Sequence, residues 1–405
     1  MIPKGKFNQI QPPLVMSLML WVIVLLVTSC ARTPVDTRSA PDVRIRLGSH
    51  GLPGNFFGPD SEQCRGQIIG YRFVSWLDDE NLAVGFNLSP NCRVAPDRRV
   101  DGSARLLVFS SKGVLKAQRD IPYIADGYGE LVAEGDAGAG PRGTLMFRFQ
   151  SVNLDPEGRN ESKSGVLLLD ANLRDVVQID QFLVQTTFVA RSLVFNDGRG
   201  PSSYSMFKGV SQEASQHWRQ SWPTGTMDRK FGEVGVAYAL CQQELRPGEF
   251  ESTDVVYAGA RRKCRLVVEQ PDVDTWMVEL PPNSTASIVG ILADGSVAGQ
   301  LRSSDNKAGE LVIWKKDRPR EALPWIPTEF YGSVESGTPD LKRYLVFASR
   351  TSVGRRLFVF DRKLQGPLVE SDFPTNARAD LSPSGSSFAT FEDGELRIYA
   401  LPNAP

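Results

Sequence analysis

Histidine is nearly absent: His50 and His217 are the only two in 405 residues. Two histidines cannot build a multi-histidine metal centre, and for each a structural or surface role outweighs that of a general base. Cysteine is scarce, five in all, with no Cys-x-x-Cys pair, so a zinc ribbon is excluded. No excess of one charge exists: 46 Lys and Arg face 47 Asp and Glu, a net charge of −1. That balance argues against a nucleic-acid partner. Gly-x-Ser-x-Gly and His-Glu-x-x-His are both missing. The stretch from Gly138 to Gly143 fits Gly-x-Gly-x-x-Gly, but Pro141 interrupts it and strand-like Thr144–Phe149 follows. A dinucleotide site needs a helix opening there, so the segment reads as a turn. Asp78-Asp79-Glu80 reads as a polar hairpin tip, and Asp272 and Asp274 fit no EF-hand spacing. No cofactor and no metal are expected.

Long apolar runs are missing too, with one exception. Leu14 to Val27 is broken only by Ser17 and spans about 14 residues, short of the ~20 that cross a bilayer. Lys4 and Lys6 precede it, no acid does, and Val27-Thr28-Ser29-Cys30 follows. This is a secretory signal whose end resembles the bacterial lipobox. The resemblance implies residues 1–29 as signal peptide, and Cys30 as the acylated first residue of an extracytoplasmic, membrane-held protein. Several acyl chains anchor stably where one does not. Ala31 rather than Asp follows the cysteine, which by the same resemblance implies the outer membrane in a Gram-negative host. Residues 31–42 are poor in apolar side chains and carry two prolines, so 30–42 reads as anchor plus flexible tether and 43–405 as the folded domain.

The other four cysteines are Cys64, Cys92, Cys241 and Cys264. An even number in an exported chain points to disulfides. Two strand-like runs, Ile68–Trp76 and Leu82–Leu88, lie between the first two, and Cys64 and Cys92 stand equally far from Asp78. A hairpin folded there brings them opposite each other. Cys241 ends one apolar run and Cys264 begins the next, a position from which they would staple a second hairpin.

Helical periodicity is almost absent from residue 43 onward. Short β-branched and aromatic runs alternate with Gly, Pro, Asp and Ser clusters. One unit recurs: an apolar strand, a polar turn, and a second strand that often ends at proline. It begins near residues 104, 165, 204, 264, 310, 357 and 395, at a mean interval of about 49. A repeat of ~40–50 residues with four short strands marks a β-propeller. The fold class expected is therefore all-β: a propeller of seven blades. Only the first half of the last unit is present, and Val43–Leu47 alternates cleanly, so this N-terminal strand is expected to complete the last blade and close the ring. Residues 379–401 (ADLSPSGSSFATFEDGELRIYAL) resemble a WD40-type blade, with Asp393-Gly394 as the tight turn. The Gly-His and Trp-Asp dipeptides of true WD40 repeats are missing.

The long connections are expected between the second and third strands of each blade: Ser89–Ser103, Asn153–Ser164, Asn196–Ser203, Gln242–Arg262, Ser303–Gly309 and Arg350–Gly354. All would emerge on one face, where binding residues collect on a rigid scaffold. Each carries or adjoins basic residues. Arg98, Arg99, Arg199, Arg261, Arg262, Arg355 and Arg356 are the candidate binding residues; Arg302 adjoins one of these connections and Arg350 begins another. Acids such as Asp97, Asp155 and Glu249 are interleaved. The face would suit an envelope protein or glycan, with acidic glycan or peptide carboxylates as the anionic partners such arginines would take. The function expected is a non-catalytic binding or scaffold lipoprotein, resembling in architecture the propeller lipoproteins that assist outer-membrane assembly. The alternative is an envelope enzyme, a glycan- or peptide-processing hydrolase or lyase.

Overall fold

A computed structural model of the chain describes residues 41–52, 72–88, 100–125, 138–139, 143–154, 160–179, 183–187, 192–196, 203–207, 214–219, 226–232, 235–243, 262–270, 273–303, 309–350, 354–374 and 377–402. These residues form seven four-stranded antiparallel sheets. The first strand, β1 (Val43–Arg46), belongs to the last sheet. Sheet I is β2–β5 (Arg72–Trp76, Asn81–Asn87, Val100–Ser110, Leu115–Ala125) and sheet II is β6–β9 (Gly138–Ala139, Leu145–Leu154, Asn160–Leu169, Asp175–Ile179). Sheet III is β10–β13 (Leu183–Thr187, Ser192–Asn196, Ser203–Phe207, Ala214–Arg219) and sheet IV is β14–β17 (Thr226–Gly232, Gly235–Gln243, Arg262–Gln270, Val273–Glu279). Sheet V is β18–β21 (Ser284–Ile291, Val297–Ser303, Glu310–Lys315, Arg318–Ala322) and sheet VI is β22–β25 (Tyr331–Gly337, Arg343–Ser349, Arg355–Asp361, Pro367–Phe373). Sheet VII is β26–β28 (Arg378–Leu381, Ser387–Glu392, Glu395–Ala400) completed by β1. Each sheet is a meander, the form of a propeller blade. The recurring two-strand unit of the sequence is the third and fourth strand of each sheet.

Apolar strands alternate between two cores rather than between core and water. On β3, Leu82, Val84 and Phe86 pack toward Phe391, Leu396 and Ile398 of sheet VII, while Ala83 joins Leu145, Leu167 and Leu169 of sheet II. On β23, Tyr344 and Val346 pack on Leu311 and Ile313 of sheet V, while Leu345 and Phe347 face Phe388 and Tyr399 of sheet VII. A further core joins sheets IV and V through Leu266, Val268, Trp276, Ile288 and Trp314. A sheet buried on both faces needs apolar side chains at consecutive positions, which is why these strands read as continuous hydrophobic runs.

Polar side chains on the first strands tie the sheets together. Asp380 on β26 accepts hydrogen bonds from Ser75 Oγ (3.1 Å) and Trp76 N–H (2.7 Å) of β2, and from Ser336 Oγ of β22. Asp228 on β14 accepts from Ile288 N–H of β18 at 2.6 Å. The turn after the first strand also repeats in three of the sheets. In sheets V, VI and VII it closes with the same backbone bond, Gly295 to Leu292, Leu341 to Thr338 and Gly385 to Ser382. All three donors have positive φ, and only Leu341 takes that conformation with a side chain.

β1 pairs antiparallel with β28, Val43 opposite Ile398 and Arg46 opposite Glu395. Asp42 extends the pairing, donating its N–H to Ile398 O and accepting from Ala400 N–H at 2.6 Å. The strand ends one residue earlier than expected. Leu47 enters a short 3-10 turn, Leu47–His50, where its side chain is fully buried. Arg105 donates to the His50 carbonyl at 2.9 Å and pairs with Asp120, tying that turn to sheet I. Between β27 and β28, Asp393 (φ 50°) and Gly394 (φ 75°) both lie in the left-handed region, as a type I′ hairpin requires.

Candidate functional site

An antiparallel meander sends its second-to-third connection and its exit to the next sheet to the same edge. The observed second-to-third connections are 88–99, 155–159, 197–202, 244–261, 304–309, 350–354 and the tight turn 393–394. All six connections expected to be long fall between these strands, several of them shorter than expected, the second most of all. β7 and β8 stay paired out to Leu154 and Asn160, so most of Asn153–Ser164 is strand. Likewise β4 starts at Val100 and β16 at Arg262.

On this edge of sheets V and VI, two open hollows share Arg355 and Ala348 in their linings. One, of about 360 Å³, is lined by Phe330, Arg350, Arg355, Arg356, Asp372 and Pro374. The other, of about 240 Å³, is lined by Arg302, Tyr331, Ser333, Glu335, Ser349 and Arg355. Arg355 stands between them. Its guanidinium lies 5.8 Å from the centre of the Phe347 ring, and those of Arg350 and Arg356 lie 5.9 and 5.5 Å from that of Phe330. Phe330 and Phe347 are themselves buried, so the rings form a fixed floor on which planar guanidinium groups rest. Arg356 also pairs with Glu370 and Asp372 of β25. Arg302 donates to Gln300 Oε1 at 2.8 Å and to Gly332 O at 3.3 Å. Arg350 and Arg355 have no carboxylate partner among the described residues. Arg378, at the start of β26, is a further cation beside Arg355. Desolvation and the Arg355 charge push its proton affinity below that of a free guanidinium, and the Glu335 charge offsets part of this.

Arg355 and Arg356, neighbours in sequence, both line the first hollow. Arg98, Arg99, Arg199 and Arg261 lie outside the described residues, as do Cys30, Cys64 and Cys92; Arg262 begins β16. Cys241 and Cys264 are directly opposed on β15 and β16, and their sulfurs lie within disulfide distance, 2.11 Å. Sequence reasoning missed Arg378, Phe330 and Phe347. Arg378 opens a first strand, and the two phenylalanines read as ordinary core. Asp78 accepts from the backbone N–H groups of Glu80 and Asn81 at 2.8 Å, capping the turn between β2 and β3. His50 sits edge-on to Phe109 at 5.3 Å, and His217 lies in β13 opposite Ser205. Among the described residues no three His, Cys, Asp or Glu side chains gather as a metal-ligand set, and no helix is long and apolar enough to cross a membrane.

No protein-family model and no curated protein sequence matches the chain. Solved structures resemble it at low identity. The β-propeller domain of the Trilobed protease from Pyrococcus furiosus is 11% identical, with a TM-score of 0.45 over 83% of this chain and 94% of that one. Kluyveromyces lactis Hsv2p is 12% identical, with a TM-score of 0.36 over 82% and 98%. An acylaminoacyl peptidase from Pyrococcus horikoshii is 12% identical, with a TM-score of 0.38 over 64% of this chain and 44% of that one. At these values the likeness assigns no activity.

Proposed function

We propose that the chain is a seven-bladed β-propeller closed by the pairing of β1 with β28, and that it acts as a non-catalytic binding scaffold. Residues 43–405 form the propeller, residues 1–29 are the signal peptide, and Cys30 carries the lipid at the head of the tether. The protein is held in the bacterial envelope, at the outer membrane in a Gram-negative host. Its partner is an envelope protein or glycan bound on the edge bearing the second-to-third connections.

The observation that carries the binding role is the arginine cluster between sheets V, VI and VII. Two guanidiniums there rest on buried phenylalanine rings and lack carboxylate partners among the described residues. An exposed Arg350 and a half-buried Arg355 set over aromatic rings are organised for an incoming anion. The lipid anchor rests on the lipobox resemblance around Cys30.

Envelope pull-down with the wild type and a Cys30→Ala variant tests both parts. The wild type is expected to fractionate with membranes and retain one stoichiometric protein partner, and Cys30→Ala to lose the membrane association. Turnover of an envelope polymer with no partner retained would instead establish the enzyme. Equal membrane association of the two forms would remove the anchor.

A further inference from the structure

We propose that the two hollows flanking Arg355 form one binding site for an acidic peptide segment, with carboxylates of the peptide held on both sides of the Arg355 guanidinium. This rests on the binding-scaffold reading and deepens it by naming the ligand class.

The charge balance points to an anion. Arg302, Arg350, Arg355, Arg356 and Arg378 face Glu335, Glu370 and Asp372 at this junction. Glu370 and Asp372 are both taken by Arg356. Among the described residues Arg350 and Arg355 have no carboxylate partner, and a guanidinium fork matches a carboxylate in a bidentate manner. Arg378 adds a further positive charge near Arg355, its proton affinity lowered by desolvation and by Arg355 and partly offset by Glu335.

Shape points to a chain rather than a single ion. Both hollows are open and share Arg355 and Ala348 in their linings, so an extended ligand spanning the Arg355 side chain would touch both. Tyr331, 50% exposed, stands at the second hollow and offers an apolar contact. Glu335 accepts from Ser333 Oγ at 2.6 Å there, and its carboxylate can also accept backbone N–H groups of a peptide. A lone phosphate or carboxylate would use neither Tyr331 nor Glu335.

Fluorescence anisotropy of the full-length protein in detergent tests this, using a labelled eight-residue peptide of alternating Glu and Gly. Binding is expected, weakened by salt, and absent for the same peptide with Gln in place of Glu. Arg355→Gln should weaken it about tenfold or more, the range for a charged hydrogen-bond partner, and Arg355→Lys should fall between. Lys316→Gln, in the turn between β20 and β21 on the opposite edge, should leave it unchanged. A thermal melt of each variant accompanies the titrations, and Arg355→Lys decides the matter if Arg355→Gln does not fold. Equal binding of the Glu and Gln peptides overturns the proposal. So does indifference to both Arg355 variants, or no binding at millimolar peptide. Arg355-dependent stabilisation by inorganic phosphate without peptide binding also overturns it, in favour of a small-ion site. None of these outcomes alters the envelope pull-down, so the two readings fail separately.

Discussion

Arg343 concentrates several roles in one buried side chain. It begins β23, is 7% exposed, and pairs at 3.0 Å with Asp361, itself 3% exposed. Its remaining N–H groups go to the carbonyls of Gly385 at 2.7 Å and Pro402 at 2.5 Å, both beyond sheet VI. One guanidinium therefore satisfies an acid and holds sheet VII against sheet VI. Arg343→Ala would leave the Asp361 carboxylate buried without its cation. Chemical denaturation is expected to show a loss of about 3–5 kcal/mol. An Arg343→Met/Asp361→Leu pair should lose clearly less, because no charge is then stranded. Equal losses would mean that Asp361 finds another partner. The sequence did not reveal this residue. Arg343 is one arginine among many, and its burial depends on a turn and a chain end distant along the chain. Asp393-Gly394 was legible for the opposite reason: a type I′ turn is specified by its own two residues.

At the level of elements, legibility followed the solvent pattern. Third and fourth strands stood out because a polar turn separates them and the fourth is an outer strand with exposed positions, as in β17 and β21. Several first strands did not stand out. β22 carries Ser336, a polar residue spent on a contact between sheets, and does not read as a strand in the sequence; β26 was legible only as part of the WD40-like stretch 379–401. β1 was legible through its alternation alone, and its half-buried Val43 and Ile45 match that pattern. Its backbone pairing, the Asp42 bonds and the ion pairs of Arg44 and Arg46 with Glu395 give it a larger share in stability than its length implies. Deleting 43–47 would also expose the edge of β28. Thermal denaturation is expected to show a large drop for that deletion and little change for deletion of 31–42. Equal melting temperatures would count against a closing role for β1.

Across the whole molecule, neighbouring sheets are joined by ionisable pairs as well as by apolar cores. Glu321 of β21 and Arg362, just after β24, bridge sheets V and VI with two bonds, one of them 2.7 Å. The Arg362 hydrogen bonds hold the Glu321 carboxyl below the usual carboxylate range, and Arg105 does the same to Asp120. A depressed folded pKa contributes stability above the ordinary carboxylate range, and that contribution is lost as pH falls through the folded value. Glu392 has the opposite sign. Burial raises it, so its share is present at low pH and lost as pH rises through the raised value. Comparing the melting temperature of Glu321→Gln with wild type from pH 7 down to pH 3 should show a gap that closes toward acid. Because the pair is partly exposed, the gap should correspond to less than about 1 kcal/mol. A gap that stays constant with pH would show that this carboxylate does not titrate on unfolding. The arginine cluster is likewise a whole-molecule property. It draws on three sheets, and no sequence window contains Arg302, Arg355 and Arg378 together.

The direction of β1 has a mechanical consequence. Val43 lies beside Ile398 and Asp42 beside Ala400, at the end of β28, whereas Leu47 lies beside Gly394 at its start. The chain therefore enters β1 from the edge that carries the first-to-second turns and leaves it at the edge that carries the arginine hollows. Any attachment upstream of residue 42 pulls on the former edge. A body hung by that point presents the hollows on the side turned away from its support, open to whatever approaches from the far side.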